Sequence, residues 1–113
     1  MEYVPERGDV VWLDFNPQSG HEQAGRRRAV VLSPQSYNQK VGLAILCPIT
    51  NQQKGYPFEV VIGTGQGVIL SDQVKSLDWR RRRAEYLTEL PGAIIGEVLQ
   101  KLKTLLYCNT FAN

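Results

Sequence analysis

The sequence predicts a mainly β domain, a small, strongly curved sheet or open barrel with one helix at its C-terminal end. Three observations predict it. Short runs rich in Val, Ile, Leu and aromatic residues recur through residues 9–87, separated by Gly, Pro and polar residues. After Pro91 the apolar period changes to three and four residues. A length of 113 residues, with 42% hydrophobic and 21% charged residues, fits a single globular domain over 1–113 and excludes wholesale disorder or a second catalytic lobe.

Residues 9–15 (DVVWLDF) are β-branched and aromatic and are bounded by Gly8 and Asn16-Pro17, which reads as a first strand. Residues 18–28 carry two glycines and dense polar side chains without apolar periodicity, so they read as a loop. Eleven residues is long for a compact β domain, and long loops often carry function. Residues 29–32 form a second strand stopped by Ser33-Pro34, and residues 35–40 a helical turn or loop. The near-continuous apolar run 43–49 suits a strand buried on both faces. Residues 57–62 and 68–70 continue the pattern, 70–77 reads as a further alternating strand, and 83–87 as a short one. From Pro91 to Leu106, residues Ile94, Ile95, Val98, Leu99, Leu102, Leu105 and Leu106 form one apolar stripe, as expected of a helix over about 91–106 that packs on the sheet. Residues 107–113 lack this pattern and read as a tail.

The formal net charge of +2 conceals a division along the chain. Residues 18–83 carry ten Lys/Arg against four acids, while the two ends together carry three bases against seven acids. Seven bases fall in two runs, Arg26-Arg27-Arg28 and Arg80-Arg81-Arg82-Arg83. Such runs suit a phosphate backbone, because Arg offers a planar fork to phosphate oxygens and stays charged; a solvated face is the plainer reading. No apolar run approaches the roughly 20 residues of a bilayer span, and the N-terminus has no signal-peptide core, so a cytoplasmic protein without a membrane partner is expected. Cys47 and Cys108 form no CxxC unit and no metal set, and Cys47 is expected to be buried.

His21 is the only histidine, so no histidine pair can serve as base and acid. Polar groups that could carry chemistry cluster at His21, Glu22, Gln23 and Arg26–Arg28, in the 50–54 segment (TNQQK), and in the 71–76 segment (SDQVKS). These groups fit the cleavage of RNA by its own 2′-hydroxyl. That reaction needs a base for the hydroxyl proton, positive charge on the non-bridging phosphate oxygens, and an acid for the leaving 5′-oxygen. No metal or other cofactor is required, because the nucleophile lies within the substrate. Trp12 reads as core or interface packing rather than a platform for a base, whereas Tyr56 and Phe58 suit either packing or stacking.

Five blocks resemble the MazF/PemK toxin family: GDVVWLDFNP (8–17), GHEQAGRR (20–27) with AVVLSP (29–34), Tyr37-Asn38 with Pro48-Ile49-Thr50, KGYPFEV (54–60), and DQVKS (72–76). The likeness runs from about Val4 through Leu106. It implies an SH3-like, CcdB-like barrel with a C-terminal helix, a homodimer, a cognate antitoxin as partner, and sequence-specific cleavage of single-stranded RNA without metal. By resemblance Arg27 is the catalytic phosphate-contacting residue, with Thr50 and Glu22 also catalytic. His21, Gln23, Arg26, Arg28, Asn38, Lys54, Tyr56, Asp72, Gln73 and Lys75 are then the expected substrate-binding residues.

Two positions depart from the family pattern. Arg28 stands where Pro usually follows the catalytic Arg, which frees the backbone and adds a charge. Leu70 stands where the plasmid branch has an Arg two residues before its catalytic Asp, so Asp72 is assigned to substrate binding or to structural hydrogen bonding. The alternatives to an RNA-cutting toxin are a CcdB-like gyrase poison on the same barrel and a degenerate member that binds RNA or antitoxin without cutting.

Overall fold

The computed structural model describes residues 2–15 and 25–107. His21, Glu22, Gln23 and Cys108 therefore lie outside the described residues, as do most of the expected loop and of the expected tail.

Strand β1 (Asp9–Asp14) pairs antiparallel with β2 (Arg26–Val31), setting Val10 opposite Val30 and Asp14 opposite Arg26. A short helix, α1 (Gln35–Val41), leads into β3 (Leu43–Thr50), the strand around which the sheet turns. One edge of β3 pairs with β2. Its other edge is divided between β5 (Gly67–Leu70), which pairs at Ile49 and Thr50, and β6 (Lys75–Asp78), which pairs along 43–46. Strand β4 (Glu59–Gly63) hairpins onto β5, and β7 (Glu85–Glu89) closes the far edge against β1. The order β4-β5-β3-β2-β1-β7, with β6 alongside β3, is a sheet curled into a half-barrel.

Alternation along the strands builds a core on each face. Val10, Val30, Cys47, Ile49, Val60 and Ile69 meet Ile95 and Val98 of α2 (Gly92–Tyr107). Val11, Leu13, Ala29, Val31, Ala44 and Leu46 pack with Trp79 on the other face. Only part of the helix stripe is used: Ile94 and Leu102 are partly buried, whereas Leu99 and Leu106 remain 38% and 70% exposed. Among the described residues no helix is long and apolar enough to cross a membrane.

Several element boundaries differ from expectation, β4 starting at Glu59 rather than Pro57 among them, and three of the differences have a clear physical reason. β2 begins at Arg26 rather than Ala29, because the ladder with β1 continues past the last apolar residue and Asp14 neutralises its first charge. Residues 71–74 form a turn rather than the first half of a strand. The chain leaves one half of the β3 edge at Leu70 and rejoins the other at Lys75, so the ladder must break between them. The last strand starts at Glu85, because residues 80–83 are a turn in which Arg83 takes φ 55.

Candidate active site

The two strands that meet at the curl carry the centre of the site. Arg27 stands two residues before Ala29 and Thr50 two residues after Pro48, and Ala29 faces Pro48 across the β2–β3 ladder. Both side chains line one cleft of about 320 Å³. Lys54, Tyr56, Asp72, Gln73 and Lys75 complete its walls with Phe15, Gln52, Phe58 and Glu59. Seven residues expected in the site from sequence are thus brought together from β2, β3, the 51–58 connection and the 71–74 turn with the start of β6.

The cleft is cationic at its centre. Among the described residues the Arg27 guanidinium has no hydrogen-bond or ion-pair partner and is exposed, so its donors are available to a ligand. Lys54 and Lys75 add two further positive charges, and Glu59 and Asp72 supply the carboxylates. The Glu59 carboxylate is engaged, accepting from the Lys54 N–H at 3.0 Å and the Gly55 N–H at 3.0 Å. It thereby shapes the connection that presents Lys54 and Tyr56, the latter 59% exposed. The Thr50 hydroxyl accepts from the Gln52 N–H at 3.2 Å, which leaves its own proton free to donate. Cys47 is buried behind the cleft, and burial, with a smaller contribution from Asp72, pushes its thiol up to about 12; it is inert as a nucleophile near neutral pH.

A second hollow of about 410 Å³ shares Arg27 and Thr50 and extends past Arg28, Asn51 and Gln52 to Trp12. Trp12 is 37% exposed and belongs to neither core cluster of the described residues, so of the two packing roles expected for it, core or interface, the core role is not found among them. The physical reason is that on its face of the β1–β2 ladder the apolar pair Val10–Val30 is followed by Trp12–Arg28 and Asp14–Arg26, whereas Leu13 on the other face stays buried.

Two expected binding residues serve the scaffold. Asn38 is fully buried and does not line the cleft. Its side-chain amide donates to the carbonyls of Pro5 at 2.8 Å and Ser33 at 3.0 Å, and its backbone carbonyl accepts from the Trp79 indole at 2.9 Å. Arg26 projects from the face of β2 opposite to Arg27. Its guanidinium pairs with Asp14 at 3.0 Å and Glu85 at 3.1 Å and donates to the Arg83 carbonyl at 3.0 Å. Arg83, followed by Arg26, holds the Asp14 carboxyl below the ordinary carboxylate range. The neighbouring Phe15 N–H donates to the Gly25 carbonyl at 2.8 Å, drawing together the two ends of the segment between them.

Sequence reasoning did not single out Phe15, Glu59 or Asp14. Glu59 lies within the matched 54–60 block, but nothing in its spacing marks a carboxylate that caps two backbone donors. Gln52 was legible, since it lies in the polar segment that ends β3.

A curled sheet with a cationic, aromatic-walled cleft defines a small β protein suited to a phosphodiester chain. The comparisons agree with that chemistry. Residues 6–106 match the family of PemK-like, MazF-like toxins of type II toxin–antitoxin systems. The Endoribonuclease toxin MazF of Escherichia coli K12 is 53% identical, with 89% of each chain covered, and the Endoribonuclease PemK of Escherichia coli is 32% identical over 89% of this chain and 81% of its own. A crystal structure of MazE–MazF from Deinococcus radiodurans superposes with a TM-score of 0.84 at 51% identity, covering 92% of this chain and 97% of that one. The chain belongs to the family of PemK-like, MazF-like toxins of type II toxin–antitoxin systems.

Proposed function

We infer that this MazF-like endoribonuclease toxin cuts single-stranded RNA at short sequences by attack of the substrate's own 2′-hydroxyl, and that it needs no metal or other cofactor. The observation that carries this reading is the placement of Arg27, which has no partner among the described residues, and the Thr50 hydroxyl in one cleft. A guanidinium there suits the charge that develops on the non-bridging oxygens of a pentacoordinate phosphorus, and a hydroxyl donor adds a second contact. The 2′-oxygen attacks phosphorus, its proton passes to a base, and the bond to the 5′-oxygen breaks as that oxygen takes up a proton. The products are a 2′,3′-cyclic phosphate, or the 3′-phosphate formed when water opens it, and a 5′-hydroxyl. Glu22, by the family likeness, is assigned to proton transfer or to contact with a base. Lys54 and Lys75 suit neighbouring phosphates, Tyr56 suits stacking on a base, and Asp72 and Gln73 offer acceptors and donors to base edges.

Purified protein incubated with a long RNA in excess chelator tests this directly. Cleavage leaving 5′-hydroxyl ends is expected; intact RNA at high protein concentration would reject the reading.

The partners follow from the same chemistry. A cognate antitoxin is expected to lay an acidic, extended segment over the cationic cleft, as a substitute for the phosphate chain. The MazE–MazF crystal structures of Deinococcus radiodurans are of such a toxin with its named counterpart. The complex should weaken with added salt and compete with RNA. Two copies, paired about a twofold axis in the cytoplasm, would turn two shallow clefts into one longer groove, and the exposed apolar groups Leu99 and Leu106 are surplus to one core. Light scattering should report a dimer at micromolar concentration; an active monomer would defeat the shared groove.

A further inference from the structure

Arg28 departs from the family pattern, and its contacts give it a task. Its guanidinium joins the β4–β5 turn to the residue that follows Thr50. One nitrogen donates to the Gln66 carbonyl at 2.9 Å in the β4–β5 turn, and another donates to the Asn51 side-chain oxygen at 2.7 Å just past β3. Arg28 follows Arg27, and Asn51 follows Thr50. The Arg28–Asn51 bond therefore joins the immediate neighbours of the two cleft residues, across the point where the β2–β3 ladder has ended.

Gly67 completes the arrangement. It holds φ +98, and a Cβ at this position would lie 2.6 Å from the Thr50 carbonyl oxygen and 3.0 Å from the Arg28 guanidinium. Only glycine allows the turn to come this near, so the turn, Arg28, Asn51 and the Thr50 backbone form one close-fitting unit.

We propose that Arg28 is a positioning residue: through Asn51 and Gln66 it sets the spacing between the Arg27 guanidinium and the Thr50 hydroxyl. This rests on the reading of Arg27 and Thr50 as the phosphate-contacting pair, and it replaces the expectation that Arg28 binds RNA. The task suits arginine, whose rigid fork donates from two nitrogens in fixed directions, and not lysine, whose single nitrogen is a point charge on a flexible stem. Reacting groups lose about 100-fold in rate when displaced by about 1 Å, so a brace beside them has measurable value.

The test measures two quantities in each variant. One is the single-turnover cleavage rate of an RNA carrying a mapped cut site. The other is the Kd for the same oligonucleotide with 2′-deoxy at the cut position. Arg28→Ala and Asn51→Ala are each expected to slow cleavage about 10- to 100-fold while Kd changes by less than about threefold. The double variant should be no slower than the slower single one, because both remove one bond. Arg28→Lys keeps the charge, loses the bridge and should stay slow. Parent rate in Arg28→Lys would overturn the proposal, as would a Kd that weakens about tenfold in Arg28→Ala but not in Asn51→Ala. Asn51→Ala carries the test if Arg28→Ala does not fold, since Asn51 is exposed and its loss buries no charge. Arg27→Ala separates the two claims. If it cuts at the parent rate, the catalytic reading fails. If it is inactive while Asn51→Ala and Arg28→Ala cut normally, the positioning role alone fails.

Discussion

The two arginine runs are alike in sequence and opposite in deployment. Arg26-Arg27-Arg28 lies on strand β2, where alternation sends neighbours to opposite faces. Arg26 and Arg28 are tied to surrounding elements, and Arg27 is presented alone to the cleft. Arg80-Arg81-Arg82-Arg83 lies in a turn, where successive side chains fan out. Arg80 sits over the Trp79 ring at 5.1 Å and pairs with Glu2 at 3.3 Å. Arg82 donates to the carbonyls of Asp14 at 3.0 Å and Phe15 at 2.8 Å, and Arg83 grips the Asp14 carboxylate from two nitrogens at 2.9 and 3.3 Å. A basic run is thus not a basic patch: backbone geometry decides which members reach a ligand and which bind the protein itself.

The largest expected effect comes from Arg27, the arginine that lines the cleft and has no partner among the described residues. Arg27→Ala should lower the single-turnover cleavage rate by about 100- to 1,000-fold. Stability should move by no more than about 0.5 kcal/mol in a denaturant titration, since Arg27 is exposed. A large loss of stability would mean that Arg27, like its neighbours, is structural, and the contrast between the runs would collapse.

Asp14 is where the two runs converge, and Asp14→Asn should cost about 1–3 kcal/mol at pH 7, discounted because Arg83 is half exposed. The folded-state pKa of Asp14 is depressed, by Arg83 first. Its contribution is therefore present above the unfolded value of about 3.9 and is lost as pH falls through the lower folded value. Urea titrations at pH 7 and near pH 3 should show the gap between parent and Asn variant narrowing in acid. A gap that persists unchanged would assign the cost to packing rather than to paired charge.

A smaller effect separates backbone from side chain at Arg83. Arg83→Ala keeps the left-handed φ of 55 and loses the ion pair, whereas Arg83→Gly loses the pair but relieves the strain. The Gly variant should be more stable than the Ala variant by about 1 kcal/mol, readable from their denaturation midpoints. Equal stability would mean that the turn adapts without strain. Smallest of all is Arg81→Ala, whose side chain has no partner among the described residues. Stability should shift by at most about 0.5 kcal/mol and RNA affinity should not change. A marked loss of affinity would show that the turn run reaches RNA after all.

Much of the molecule was legible in residue order because the relevant physics is local. The β-branched, aromatic run at 9–14, the apolar run at 43–49 and the three-to-four-residue spacing after Pro91 each specify an element through backbone preference and one-sided burial. The matched blocks likewise pointed to Arg27, Thr50, Lys54, Tyr56, Asp72, Gln73 and Lys75 as one site, and these do line one cleft. Asn38 lay in a matched block too, yet it is buried and hydrogen-bonded to Trp79 through its backbone, because a match in sequence does not say what a residue touches.

Residue order by itself determined the strands, the helix and the set of charged groups from which a phosphate-binding site is drawn. Only the tertiary structure decided which charges remained available. Asp14, Glu85, Asn51 and the Gln66 carbonyl come from points 12 to 69 residues distant from the arginines they engage. A guanidinium forms its strongest contacts with whichever acceptors the curled sheet brings within about 3 Å, and that distance is set by strand pairing across the fold rather than by neighbours along the chain.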